Sequence, residues 1–253
     1  MQIKSILCRL GRAIAPLLFY GAILWVVALL VGNSLKMPLP SAVLAALLEL
    51  VVQESFWISI VMSLLRVFGG LAIGVLLGTL LGLLVHFLPP ISILVRPLLS
   101  VVRSTPVAAV IMLVWSFTGA ESLPIAIATL MVMPIIADQL SAGLKGADPR
   151  LAEMTSVFGF SRMRAFLTYR LPAARPYFFA AIMTSVGFAW KAGIAAEVLA
   201  ATASSVGREI YFSKLYISEI NTLWAWTLVS VIVSLILEFI VKKALRLMER
   251  RGI

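Results

Sequence analysis

The chain has 253 residues, of which 62% are hydrophobic and only 13% are charged, and its formal net charge is +10. An ordinary soluble domain has roughly 45–50% apolar and about 25% charged residues, so this composition argues strongly against a soluble protein. Nucleic-acid binding is also disfavoured, because the basic residues lie between long apolar runs and not on one solvated face. The remaining class is an all-α integral membrane protein that crosses the bilayer several times.

Six apolar segments are predicted to span the membrane. A spanning helix needs roughly 20 mostly apolar residues, because the hydrocarbon core is about 30 Å thick. The third segment is the weakest, and Pro134 and Asp138 interrupt the fourth. The first also resembles a secretory signal, but it is long for one and lacks a clean cleavage site, so we expect an uncleaved helix. The predicted spans are 13–35, 67–85, 98–117, 123–144, 177–202 and 222–241.

Basic residues are distributed unequally between the two sides of these spans. Most of the 21 Lys and Arg residues fall on the side that holds both termini, among them Arg96, Arg103 and Lys145. Short loops rich in Lys and Arg stay on the cytoplasmic side of a membrane. We therefore expect both termini to be cytoplasmic and the chain to form a single transmembrane domain over residues 1–253.

The second predicted span carries glycines at strict four-residue spacing. Residues four apart lie on one face of a helix, so these glycines form a shallow groove into which another helix backbone can pack. Glycine is also frequent in membrane helices in general, but four in register favour a helix-helix seam. The four positions are Gly70, Gly74, Gly78 and Gly82.

Charged side chains inside spans are costly and usually functional. Lys191 and Glu197 lie six residues apart in the fifth span and therefore point to different faces, and Arg66 lies at the edge of the second. These three residues are candidates for a translocation pathway. The alternative for Lys191 is a structural role, in which it pairs with Asp138 or Glu238 or extends to the membrane surface.

The longest predicted cytoplasmic loop, 145–176, contains a short amphipathic helix. Asp148 followed by Pro149 is a typical helix start, and Gly159 ends the helix. A second, basic amphipathic segment follows, and Pro172 marks the approach to the fifth span. The apolar face of the first helix needs a partner, which the residues alone leave open between the lipid surface, the protein's own loops and another subunit. That face comprises Leu151, Met154, Val157 and Phe158.

The same loop carries a motif with fixed spacing. Its spacing resembles that of the EAA loop of binding-protein-dependent ABC importer permeases, which reads E-A-A, three residues, G, nine residues, I, one residue, L-P. Met154 and Thr155 replace the two alanines, and Tyr169 stands in place of isoleucine. The motif positions in this chain are Glu153, Met154, Thr155, Gly159, Leu171 and Pro172.

Three further stretches are similar to the nitrate, sulfonate and taurine branch of these permeases: Ser63–Leu84, Arg103–Gly119 and Trp190–Ala201. The resemblance implies the type I importer permease fold, with a second permease copy as a homodimer, two cytoplasmic ATP-binding subunits and an extracytoplasmic solute-binding protein. It also implies a location in the cytoplasmic (inner) membrane of a bacterium. The implied solute is a small organic or inorganic anion, such as a sulfonate, taurine or nitrate, or a vitamin precursor.

The resemblance implies that the loop helix docks into a cleft of the ATP-binding subunit, with Glu153 and Gly159 as the marked positions. A local role for Glu153, at the positive end of its own helix, is the alternative. The sequence has no G-x-x-x-x-G-K-[ST] loop, so we expect ATP and Mg to be bound by the partner and no cofactor or metal to be bound by this chain. With a single histidine and no catalytic constellation, an enzyme is not expected.

A stand-alone secondary carrier or channel is the alternative to an importer subunit. Secondary carriers often show two similar halves with interrupted helices in corresponding positions. The glycine series of the second span has no counterpart in the second half of this sequence. The importer interpretation is therefore preferred.

Overall fold

The computed structural model describes residues 19–34, 36–216 and 219–250. Within these ranges the regular secondary structure is helical, as the composition predicts. The helices are α1 (Phe19–Val31), α2 (Pro40–Val51), α3 (Glu54–Phe87), α4 (Pro89–Ser104), α5 (Val107–Trp115), α6 (Leu123–Lys145), α7 (Pro149–Val157), α8 (Arg162–Ala165), a π-helical turn (Phe166–Arg170), α9 (Leu171–Ala200), α10 (Val206–Leu215) and α11 (Ile220–Arg250).

Several of these helices are long and apolar enough to cross a membrane. Four pass by length and composition: Glu54–Phe87, Leu123–Lys145, Arg162–Ala200 and Ile220–Met248. Helices α4 and α5 together make a fifth candidate as a bent pair. Helix α1 is apolar but shorter, and residues 13–18 and 35 of the first predicted span lie outside the described ranges. The all-α membrane fold is confirmed, while the count of six remains a prediction.

The third predicted span, 98–117, is not one straight helix. Helix α4 ends at Ser104 and α5 begins at Val107, and their axes are bent by 105°. Pro106 is the cause, because a proline ring disfavours the helical conformation in the residue before it. Thr105 accordingly has φ −75° and ψ 133°, an extended conformation. The hydroxyl of Thr105 donates a hydrogen bond of 2.7 Å to the carbonyl of Val101, which lies in the last turn of α4.

The described part of the chain divides into two compact units. The first comprises residues 19–57 together with Glu209–Ser230, and so contains α1, α2, most of α10 and the start of α11. The indole N–H of Trp57 donates 3.0 Å to the carbonyl of Val51 and closes the turn between α2 and α3. The rings of Phe56 and Trp226 lie 5.0 Å apart in the interior of this unit.

The second unit comprises Ile58–Arg208 and residues 231–250, and its centre is the pair α6 and α9. Small residues let these two helices approach closely: a Cβ on Gly143 of α6 would lie 3.0 Å from Ala174 Cα of α9. At the other end of the pair a buried apolar cluster fixes α5 against both helices. That cluster contains Ile111, Leu123, Ile127, Met131, Ala192, Ala196 and Ala200.

Candidate functional site

Helix α7 has a defined start and a defined end. Asp148 Oδ1 accepts a hydrogen bond of 2.9 Å from the backbone N–H of Arg150, which satisfies a free donor of the first turn. At the other end Gly159 has φ +67°, and the N–H of Phe160 donates 2.9 Å to the carbonyl of Thr155. A left-handed glycine with this hydrogen bond is a Schellman ending. The chain therefore reverses at Gly159 because glycine adopts this conformation without steric cost.

The apolar face of α7 is exposed. A contiguous apolar face on a helix of nine residues is unusual for a surface that meets only water, and it indicates a partner. Packing against the protein's own described loops does not cover it. The exposed fractions are 43% for Leu151, 52% for Met154, 83% for Val157 and 70% for Phe158.

The second half of the loop continues without a break into a long helix. Leu171 N–H donates to the carbonyl of Phe166 across a widened, π-helical turn. Pro172 explains the widening, because its ring would clash with the carbonyl four residues earlier in a regular α-helix. Residues Arg162–Ala200 form one helix of 39 residues, so Leu171 and Pro172 join the loop rigidly to the apolar helix beyond it.

The loop is also held against the end of α3. Arg170 Nη1 lies 3.2 Å from His86 Nε2, and the rings of Phe87 and Phe166 are 4.9 Å apart. Between the end of α3 and the loop lies a cavity of about 580 Å³ that Thr155 also lines. Together with the buried Phe166, these contacts give the loop a fixed position on the body of the second unit.

The four glycines of α3 all face α6. A Cβ at any of them would come closer to α6 than real Cβ atoms do, in most cases against backbone atoms that cannot rotate away. The two helices therefore approach to backbone contact along this seam. The distances would be 2.6 Å from Gly70 to Ala128 Cβ, 2.7 Å from Gly74 to Val132 Cβ, 2.6 Å from Gly78 to the Met133 carbonyl and 2.9 Å from Gly82 to the Ala137 carbonyl.

Arg66 and Glu197 meet in a buried polar cluster. Arg66 Nη2 lies 2.6 Å from Glu121 Oε2, and its Nη1 lies 3.9 Å from Glu197 Oε1. Glu197 is fully buried and accepts a hydrogen bond of 2.7 Å from the hydroxyl of Ser63. Arg66 lies within α3, and these partners compensate its charge. The helix that contains the predicted span 67–85 begins earlier, at Glu54, while the limits of the span itself stay a prediction.

The same cluster holds the segment 201–207, which is the connection between α9 and α10 together with the first two residues of α10. Ala203 N–H donates 3.1 Å to Glu121 Oε1, Val206 N–H donates 3.0 Å to Ser63 Oγ, and Gly207 N–H donates 3.2 Å to Glu197 Oε2. Two residues of this segment, Ala201 and Ser204, have positive φ although neither is glycine. This backbone conformation is strained for a residue with a side chain, and it is kept only where surrounding contacts hold the backbone in place. The two φ angles are 47° for Ala201 and 45° for Ser204.

Lys191 lies apart from this cluster and is exposed. Asp138, one of its two suggested partners, instead pairs with Arg103, whose Nη1 lies 2.6 Å from Asp138 Oδ2. The other, Glu238, lies against Gly187. Within the described ranges no carboxylate forms an ion pair with Lys191.

Sequence reasoning did not single out Ser63 or Glu121. Ser63 is an isolated polar residue in an apolar helix, and Glu121 lies in a turn with no periodicity. Their one sequence signal is polarity beside long apolar runs, which becomes informative only once Arg66 is known to lie next to them. Arg66 and Glu121 are 55 residues apart along the chain, so the sequence gives no sign that the two side chains form an ion pair.

Apolar helices of membrane length and a close glycine seam define the class: a multi-pass helical membrane protein. Residues 74–250 match the family model described as "Binding-protein-dependent transport system inner membrane component". The chain belongs to that family, and it is therefore a multi-pass inner-membrane protein. The resemblance to ABC importer permeases of the nitrate, sulfonate and taurine branch is confirmed.

Two curated relatives and one solved structure illustrate the similarity. The chain is 26% identical over 223 residues to SsuC of Bacillus subtilis (strain 168), a permease protein named for aliphatic sulfonates transport, covering 87% of this chain and 78% of the relative. It is 27% identical over 186 residues to the taurine transport system permease protein TauC of Escherichia coli (strain K12), covering 70% and 67%. A bacterial alginate ABC transporter, crystallised with a pentasaccharide-bound periplasmic protein, has a similar chain at TM-score 0.64 and 17% identity, covering 95% of this chain and 94% of that one. The fold is thus that of an ABC importer permease.

Proposed function

We propose that this chain is the membrane-spanning subunit of an ATP-driven importer and forms the translocation pathway for a small anion. A solute-binding protein delivers the anion from outside, and two ATP-binding subunits act on the cytoplasmic side, where both termini lie. A second copy of the chain completes the pathway as a homodimer. The relatives' names, which refer to aliphatic sulfonates and taurine, support a sulfonate or a similar oxyanion as the solute.

The observation that carries this proposal is the exposed apolar face of α7 on a rigidly attached loop. The face offers Leu151, Met154 and Val157 to a partner, and Glu153 lies on the same helix. Because Arg162–Ala200 is one helix, a displacement of the docked loop is transmitted into the membrane-spanning part. Closure of the ATP-binding subunits then biases the helices between an outward-open and an inward-open state.

The first test is replacement of Gly159 by valine. A Cβ at Gly159 meets no atom within 4 Å, so the change acts through the positive φ and not through a clash. A β-branched residue in this conformation costs on the order of 1–3 kcal/mol, which opens the end of α7 and lowers docking by about tenfold or more. Native mass spectrometry of the detergent-purified complex, with its ATPase rate, measures the association.

Gly159→Asn is the matched control, because asparagine tolerates the left-handed region far better than valine. It should retain most of the bound ATP-binding subunit. Full association and normal ATP-driven uptake in Gly159→Val would contradict the docking proposal. A chain that purifies alone and transports in liposomes without ATP would instead establish a secondary carrier.

A further inference from the structure

A cavity of about 430 Å³ lies between α4 and α6 and has no lining residue in common with the Arg66 cluster. Its residues fall on one face of each helix, at spacings of three and four that align side chains along a helix. Three of them are basic and one is acidic. The lining includes Arg96, Ser100 and Arg103 from α4 and Asp138, Ser141 and Lys145 from α6.

The charges of this cavity are only partly compensated. Arg103 Nη1 lies 2.6 Å from Asp138 Oδ2, so this pair ties the two helices together and neutralises one cation. Within the described ranges neither Arg96 nor Lys145 forms an ion pair, and both are exposed. A concave site with excess positive charge and two hydroxyls attracts and binds oxyanions, since guanidinium and ammonium groups donate charge-assisted hydrogen bonds to them.

The backbone beside the cavity indicates that this region is not exposed to lipid tails. Helix α4 ends one residue after Arg103, and the extended segment at Thr105 and Pro106 separates it from α5. Non-helical backbone at membrane depth is tolerated only where it is buried in protein or lines a water-filled cavity. Helix α4 is also amphipathic: Leu94, Leu98 and Val101 occupy a separate, exposed apolar face.

From these observations we propose that the cavity between α4 and α6 is a binding site for the transported oxyanion, on the side of the membrane that holds Lys145. This rests on the proposed function, which makes the chain an anion permease, and adds the residues that contact the anion. Arg96 and Lys145 bind its charge, Ser100 and Ser141 supply hydroxyl donors, and the Arg103–Asp138 pair fixes the width of the site.

The test measures the reactivity of a cysteine placed at Ser100. The full-length Ser100→Cys protein, in a Cys8→Ser background, is reconstituted with its co-purifying partners in phosphatidylcholine nanodiscs. It is then labelled with sulfonatoethyl methanethiosulfonate, which is an anion, or with the trimethylammonioethyl reagent, which is a cation. Local electrostatic enrichment should make the anionic reagent react about tenfold faster, relative to free cysteine. Methanesulfonate added in excess should slow the anionic reaction.

Arg96→Gln and Lys145→Gln should each bring the two labelling rates towards equality, while Lys243→Gln on α11, a basic residue outside this cavity, should leave their ratio unchanged. Equal rates in the parent, or no effect of Arg96→Gln and Lys145→Gln, would overturn the proposal. Protection by phosphatidylglycerol in the nanodisc but not by methanesulfonate would assign the site to lipid headgroups and also overturn it. Labelling requires neither ATP nor docking, so its failure is distinct from a failure of the Gly159 test.

Discussion

Gly74→Leu is expected to prevent most of the protein from reaching its folded, monodisperse state. The new Cβ would lie 2.7 Å from Val132 Cβ and 3.0 Å from the Thr129 carbonyl oxygen, and the rest of the leucine would have to enter α6. Overpacking a closed contact typically costs about 1–3 kcal/mol, and backbone atoms leave little room for relaxation. Fluorescence-detected size-exclusion chromatography in detergent should show the monodisperse peak reduced by about tenfold, at equal expression.

Gly69→Leu provides the matched control for this change. Gly69 lies in the same helix five residues earlier, and a Cβ there would meet no atom within 4 Å. The residue type, the added volume and the loss of backbone freedom are the same in both variants. A Gly74→Leu protein with the same elution profile as the Gly69→Leu protein would show that α3 and α6 do not approach along this seam.

The second large effect is expected for Glu197→Ala. Alanine removes the acceptor for Ser63 Oγ and for Gly207 N–H, and it leaves Arg66 with Glu121 as its remaining carboxylate partner. Removing one partner from a buried charged network costs about 3–5 kcal/mol, because the groups left behind stay desolvated. The segment 201–207 should then detach, and trypsin should cleave after Arg208 more than about a hundredfold faster, at roughly 1.4 kcal/mol for each factor of ten.

Glu197→Gln separates the shape of this side chain from its charge. Glutamine retains an oxygen that accepts from Ser63 Oγ and from Gly207 N–H, so most of the protection at Arg208 should remain. Cleavage of Glu197→Ala at the parent rate would mean that the carboxylate does not hold the segment. Equal, fast cleavage of both variants would show that the charge and its attraction to Arg66 dominate over the hydrogen bonds.

Local signals in the sequence predicted the loop helix well. Asp148 with Pro149 and then Gly159 define its start and end through contacts within a few residues, and the structure places the helix at Pro149–Val157. The glycine series likewise predicted a face, since its period is a property of one helix. It could not predict that α6 is the partner, because that choice depends on the packing of the whole second unit.

The features that the sequence did not predict depend on contacts between residues that lie far apart along the chain. The predicted second span began after Arg66 because an isolated charge inside a membrane is costly. Its partners are Glu121, in the turn before α6, and Glu197, on α9, and no sequence pattern identifies either as a partner. Pro106 is a local cause of the bend and is present in the sequence. The apolar residues on both sides of it nevertheless predicted a single span. The proposed oxyanion site could not be predicted either, because Arg96 and Lys145 line one cavity only in the folded structure.

The helix Arg162–Ala200 is much longer than a membrane is thick. Its 39 residues correspond to roughly 58 Å at about 1.5 Å per residue, against a hydrocarbon core of about 30 Å. A rigid rod of this length amplifies angular motion: a tilt of about 10° around one end displaces the other by about 10 Å, close to the diameter of a helix. A few degrees of rotation at the Arg162 end can therefore shift the strained segment beyond Ala200 by several ångströms without unfolding any turn.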